Sequence, residues 1–266
     1  MSLSEMQACL ARLYADDLFR DSCKRDWGLA HRYYVLSDTE KEALSGLDKD
    51  RLDAFAVSIR QKRLNKIRSG YGLLYRLPIK RLNDLETRFC QLFLPKPQQS
   101  YFDDLISFGQ FMEDTLGGYP DRPAFAPDLA RYERAFHQAR ALGQEGSVHI
   151  TPAQDCPLSH PFVITRSFSY DILTLDRRFA SSETALPDCP RTELHLAFPR
   201  CAPQSESRVL KLNREAKLLL DSCDGRTPVA EIVDRLAIAE SELGAESDVR
   251  ATLKRLSDEG LVHLEH

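Results

Sequence analysis

The sequence contains no C-x-x-C pair, no H-E-x-x-H, and none of the signatures G-x-G-x-x-G, G-x-x-x-x-G-K-[ST] or G-x-S-x-G. These patterns carry zinc binding, metal-assisted hydrolysis, dinucleotide and phosphate cradling, and the exposed nucleophile of the α/β-hydrolases. It has no excess of positive charge either: 36 Lys and Arg stand against 40 Asp and Glu, for a net charge of −4. Broad electrostatic binding of nucleic acid needs a basic face, so any such role would have to rest on a local patch. No apolar run reaches the length that spans a bilayer. The start, MSLSEMQACLARLYADDLF, carries acids and lacks the basic region and apolar core of a signal peptide.

The seven cysteines, Cys9, Cys23, Cys90, Cys156, Cys189, Cys201 and Cys223, form an odd set without pairing signals. Reduced structural thiols in a cytoplasmic protein are expected. His149, Cys156 and His160 share one loop-rich stretch, and zinc accepts those ligand types. Their spacing fits no closed motif, so no metal site is expected. Asp16-Asp17 and Asp103-Asp104 are paired acids on helical segments. Neighbouring helical side chains diverge by about 100°, which prevents a shared-proton dyad. No catalytic residue is expected in this chain.

What is present is ordinary globular material, 266 residues with 42% hydrophobic and 29% charged content, enough for about two domains. Helical spacing of Met6, Leu10, Leu13 and Leu18 predicts a helix over 4–20, followed by a connector with a short helix over 21–36. Ser37 and Glu40 form a capping box for a short helix to about Ser45. Asp48 or Asp50 opens a helix to about Arg68, with Leu52, Phe55, Ala56, Ile59 and Leu64 inward. Its basic end, Arg60 to Arg68, complements the dipole and reads as a solvated face. Further helices are predicted over 79–94, 98–116 and 127–142, so residues 1–145 form an all-helical domain.

From residue 146 the composition shifts to Pro, Ser and β-formers. Strands are predicted over 162–167, 170–175, 192–198 and 208–212. Three helices follow. Asn213 caps the first, and Asp224-Gly225 ends it with the glycine suited to a left-handed position. Thr227 caps the second, with Pro228 at its first position. The third runs from about Glu246 to Glu259, with Val249, Leu253 and Leu256 inward and Gly260 closing it. The fold class is therefore α+β, a helical domain followed over 146–263 by a small antiparallel sheet with a three-helix, winged-helix-like module. Leu264 to His266 read as the remnant of a vector-encoded tag.

The third helix mixes Arg250, Lys254 and Arg255 with Asp248, Asp258 and Glu259, unlike a uniformly basic recognition helix, and the strands precede the helices rather than forming a wing after them. The 208–212 strand is expected to be an exposed edge beside that helix. Such an edge can be completed by an extended peptide. The alternatives are a DNA-binding transcriptional regulator and a free-standing enzyme. The first would show steep salt dependence; the second would show clustered polar residues in a cleft.

The run VLKLNREAKLLLDSCDGRTPVAEIVDRL, continued by DVRATLKRLSDEGLV, resembles the PqqD-like fold over roughly residues 190–262. That fold is the RiPP recognition element, which binds the leader of a ribosomally made precursor peptide. The helical half, with PDLARYERAFHQARAL before the strands, resembles the partner proteins of the DUF692 multinuclear iron oxidases, which serve in methanobactin and 3-thiaglutamate biosynthesis; the 3-thiaglutamate partner is the nearer likeness. The resemblance implies a non-catalytic subunit of a heterodimer. It would hold no cofactor of its own, iron being expected in a TIM-barrel oxidase partner, and it would present the precursor's cysteine to that enzyme. It implies a peptide groove lined by Arg208, Val209, Leu210 and Lys211 from the strand and by Arg250, Leu253, Lys254 and Ser257 from the helix. Leu253 is equally a core candidate. Neither nucleic acid nor membrane is implied as a partner.

Overall fold

The computed structural model describes residues 3–95, 99–144, 153–180, 189–200, 208–238 and 245–264. The chain divides into two units, Met1–Ala130 and Arg131–His266. The predicted class, a helical N-terminal region followed by small antiparallel sheets and helices, is the one observed.

The first unit holds α1 (Leu3–Ala15), α2 (Asp17–Arg25), α3 (Gly28–Tyr33), α4 (Asp38–Ser45), α5 (Lys49–Gly70), a 3-10 turn (Leu74–Arg76), α6 (Leu82–Leu92), α7 (Tyr101–Gly117) and the opening of α8 (Ala126–Gln144). The helix predicted over 4–20 is two helices. Asp16 takes extended backbone and its carboxylate accepts the Phe19 N–H at 2.9 Å, which caps α2 and stops α1. The Ser37–Glu40 capping box is present in full, and Asp48, rather than Asp50, caps α5.

Cys9, Leu13, Phe19, Cys23, Leu44 and Leu52 form one core of this unit. Around α6 and α7 the apolar contact is aromatic: the rings of Tyr71 and Phe89 each meet Phe108 edge-on at 5.1 Å. Phe55, expected inward, is substantially exposed. The basic end of α5 is not simply solvated. Arg63 reaches both oxygens of Asp104, and Arg68 forks onto Glu86 at 2.7 and 2.6 Å. Glu86 is buried and also accepts from Tyr75 Oη at 2.7 Å, so its charge is fully compensated.

The second unit is built on β2 (Val163–Tyr170), β3 (Arg191–Pro199) and β4 (Leu210–Leu212), antiparallel in the order β2-β3-β4. The helices are the remainder of α8, α9 (Ile172–Ala180), α10 (Arg214–Ser222), α11 (Val229–Ile238) and α12 (Glu246–Asp258). The register puts Phe168, Leu194, Leu196 and Phe198 on one face, where Tyr132 and Phe136 of α8 meet them edge-on. Ala197, Leu210 and Leu212 share the other face. They pack on Ala216, Leu219, Leu220, Ile232, Val249, Leu253 and Leu256 of the three C-terminal helices.

The strand predicted over 170–175 is instead the start of α9. Asp171 accepts the Thr174 N–H at 3.2 Å and its hydroxyl at 2.7 Å, and Ile172, Leu175 and Phe179 are buried at helical spacing. A second sheet pairs β1 (Leu158–Ser159) with β5 (Val262–His263), and Leu264, set aside as a tag residue, packs on the same core.

Candidate functional site

Three local devices hold α10, α11 and α12 where they are. Asn213 Oδ1 accepts the Ala216 N–H at 2.8 Å and caps α10, as predicted. The Asp224 carboxylate accepts the N–H groups of Arg226 and Thr227, both at 2.8 Å, and the Thr227 hydroxyl at 3.0 Å. These donors, the Arg226 N–H first, hold the Asp224 carboxyl below its ordinary range. Gly225 (φ +75°) and Gly260 (φ +73°) both sit in the left-handed region, where the sequence placed them.

The turn at Gly225 is also where upstream chain is stitched in. Gly225 N–H donates to the Pro157 carbonyl at 2.9 Å, and Ser159 N–H to that of Cys223 at 2.8 Å. Residues 155–160 thus belong structurally to this module although they lie well before the motif.

Among the described residues β2 and β4 each pair on one side only. The two edges are treated differently. On β2, the carbonyl of Ser167 accepts from Arg131 at 2.9 Å and that of Thr165 from Arg166 at 2.8 Å, which blunts the edge. Beside β4 lies an open groove of about 650 Å³. Its near wall is Leu210, Lys211 and Leu212, then Asn213, Glu215 and Ala216 at the start of α10. The far wall is Asp248, Ala251, Thr252, Arg255 and Leu256 of α12 with Glu259 at its C-cap. Leu212, Ala216 and Leu256 give an apolar floor, and Thr252, also buried there, accepts from Arg255 at 3.1 Å.

The edge strand and the neighbouring helix are those the sequence pointed to, yet the helix turns a different stripe to the groove. Leu210 and Lys211 line it. Lys211 pairs with Leu196 in register, so its side chain leaves on the face opposite Leu210 and Leu212 and only the rim is its own. Arg208 stands at the end of the groove, ion-paired with Glu259, and Val209 is half-buried beside Leu210.

None of Arg250, Leu253, Lys254 and Ser257 lines the groove. Leu253 is 1% exposed and belongs to the core. Arg250 is held by Asp155 at 2.8 and 3.1 Å and by Glu246 at 2.8 Å, over a smaller cleft of about 170 Å³ that Leu253 also lines. That pairing holds the Asp155 carboxyl below its ordinary range. Lys254 is exposed and Ser257 half-buried. The stripes 250/254/257 and 248/252/255/259 flank the same buried line, Val249, Leu253 and Leu256. Helical spacing cannot say which of them meets β4; the groove beside β4 is lined by the second.

Two other polar clusters lie outside the groove. Ser167 Oγ lies 2.8 Å from His195 Nδ1, and His195 Nε2 lies 3.4 Å from Glu193. This is a cross-strand polar contact with a carboxylate that is 75% exposed. His149 of the suggested zinc group is outside the described residues; among those described, no three metal-ligating side chains converge. No helix among them is long and apolar enough to cross a membrane.

A search of curated proteins finds no match to the chain. Against protein families, residues 202–262 match the one described as Coenzyme PQQ synthesis protein D (PqqD), a span that runs from before β4 through α12 into β5. The module that builds the groove is therefore a C-terminal PqqD domain.

Proposed function

We propose that this chain is a non-catalytic peptide-binding subunit that takes the leader of a ribosomally made precursor peptide into the groove between β4 and α12. The observation that carries this reading is the open edge of β4 beside an apolar-floored groove within the PqqD domain. A free edge offers backbone donors and acceptors to an extended chain, and the groove takes its alternate side chains. The contrast with β2, whose carbonyls are occupied by arginines, supports β4 as the receiving edge.

The larger assignment follows from the resemblance of the helical half. In it, residues 1–145 dock on a DUF692-type iron oxidase, and residues 146–263 present the precursor's cysteine to that enzyme, as in 3-thiaglutamate biosynthesis. The test of the peptide site is Ala251→Trp. Ala251 is exposed on the groove wall, so a bulky ring there fills the groove without touching the core. Titration of a fluorescent leader peptide from a neighbouring precursor frame should give saturable binding to the wild-type chain and at least tenfold weaker binding to the variant, at unchanged circular dichroism. Equal affinity for both would overturn the groove assignment. The oxidase assignment is tested by co-expression: a stable complex that survives deletion of residues 146–263 is expected, and no co-purification with the full chain would end it.

A further inference from the structure

We infer that the groove reads charge order, and that its occupant is an extended peptide with a basic residue followed, two or four positions later, by an acidic one. This rests on the peptide-site reading above and adds direction and chemistry to it.

The direction comes from one ion pair. Arg208, just before β4, meets Glu259 at the C-terminal end of α12. β4 therefore starts beside the end of α12 and runs towards its beginning, where Glu215 of α10 also lies on the groove. Every strand pairing described in this protein is antiparallel. A peptide strand that extends the sheet in the same manner runs against β4 and hence along α12, from Asp248 towards Arg255.

The chemistry comes from which charges on the groove are already used. At the far end Glu259 is neutralised by Arg208. Asp248 and Glu215 have no cationic partner among the described residues, and Arg255 has no carboxylate, only the Thr252 hydroxyl. Lys217 is paired with Asp221, Arg235 with Glu231, and Arg250 with Asp155 and Glu246, while Lys211, on the groove rim, sends its side chain to the opposite face of β4. The groove thus keeps an acidic entrance and, two helical turns on, one open guanidinium.

Asp248 and Arg255 are about 10 Å apart along the helix axis at ~1.5 Å per residue. That is about three residues of extended chain at ~3.4 Å each, and only alternate residues of a strand face one side. The groove-facing pair is then separated by two or four positions. The N-terminal member faces Asp248 and Glu215 and is Lys or Arg. The C-terminal member faces Arg255 and is Asp or Glu, for which the planar guanidinium supplies a two-point contact.

The test is selection from a displayed random decapeptide library on the immobilised full-length chain. Three parallel arms use the wild type, the charge-swapped Asp248→Lys/Glu215→Lys/Arg255→Glu variant, and the groove-filled Ala251→Trp variant. The wild type should enrich sequences with a basic residue two or four positions before an acidic one, and the swapped chain should enrich the reverse order. Resynthesised peptides should lose about tenfold in affinity when their two charges are exchanged, in line with two solvent-facing pairs each changing sign. Enrichment that depends on an open groove but shows no charge order, or keeps the same order on the swapped chain, overturns this inference and leaves the peptide site standing. Failure of the wild type to enrich anything over Ala251→Trp overturns both.

Discussion

At Gly225 two separate constraints meet. Its φ of +75° lies where side chains are strained, and a Cβ added there would come 2.9 Å from Leu158 Cδ1. Gly225→Ala should lower stability by about 2–4 kcal/mol, combining the left-handed penalty with the displaced β1 contact. Urea unfolding reads this, and a loss under 1 kcal/mol would mean that the turn can reshape. His160 poses a different case. Its Nδ1 accepts the Phe162 N–H at 3.2 Å, and its ring stacks on His263 at 4.4 Å. Burial first, then His263 and Arg200, push its pKa below the ordinary histidine value. The unfolded chain therefore takes up this proton before the folded one does. The stabilisation is complete above the unfolded value of about 6.5 and is lost as pH falls below it. The melting temperature should drop between pH 7 and pH 5, and His160→Gln, which keeps an acceptor, should flatten part of that drop. Parallel profiles for the two proteins would count against the assignment.

For elements, α12 is the instructive case. Val249, Leu253 and Leu256 face the core, and the two flanking stripes have separate tasks. Leu253→Ala should cost about 2–5 kcal/mol as a cavity in that core. Lys254→Ala, on an exposed position of the stripe away from the groove, should leave both stability and peptide affinity unchanged within about 0.5 kcal/mol. Thermal unfolding together with peptide titration separates the two, and a peptide-specific loss in Lys254→Ala would restore the stripe that sequence alone favoured. The caps of α4, α5 and α10 were legible because Ser37, Asp48 and Asn213 each find their donors within three residues. The break at Asp16 and the start of α9 at Asp171 use the same kind of contact. They were missed because the apolar spacing through 4–20 runs on past Asp16, and because Tyr170 to Leu175 alternates like a strand.

Taken whole, the molecule carries a net charge of −4, and the open cations on the β4 groove, Arg255 and Lys211 at its rim, share it with Glu215, Asp248 and Glu259. Such a surface is poorly suited to a polyanion. Titration with a 30-base-pair duplex in low salt should show no saturable binding, whereas leader-peptide affinity should change only a few-fold between 50 and 300 mM salt. A steep inverse dependence on salt for duplex binding would revive the regulator reading. The described cysteines are buried and unpaired, and burial pushes the Cys9 thiol up to about 11 and that of Cys223 to about 12. Those two are packing residues, poorly placed for thiol chemistry with a substrate.

The helical character of the first half, the caps at Ser37 and Asn213, the turn glycines at 225 and 260 and the strand before α10 were all determined by the sequence itself. Each depends on contacts or dihedral preferences spanning a few residues. Only the tertiary structure decided that β1 closes on β5 across the whole PqqD domain, with Leu158 opposite His263, and that Leu264 joins the core. It also decided which flank of α12 meets β4. Two stripes one step apart around a helix are equivalent until another element lies against one of them. Here the Arg208–Glu259 contact and the packing of Leu212 and Ala216 at the groove floor place β4 against the flank running from Asp248 to Glu259.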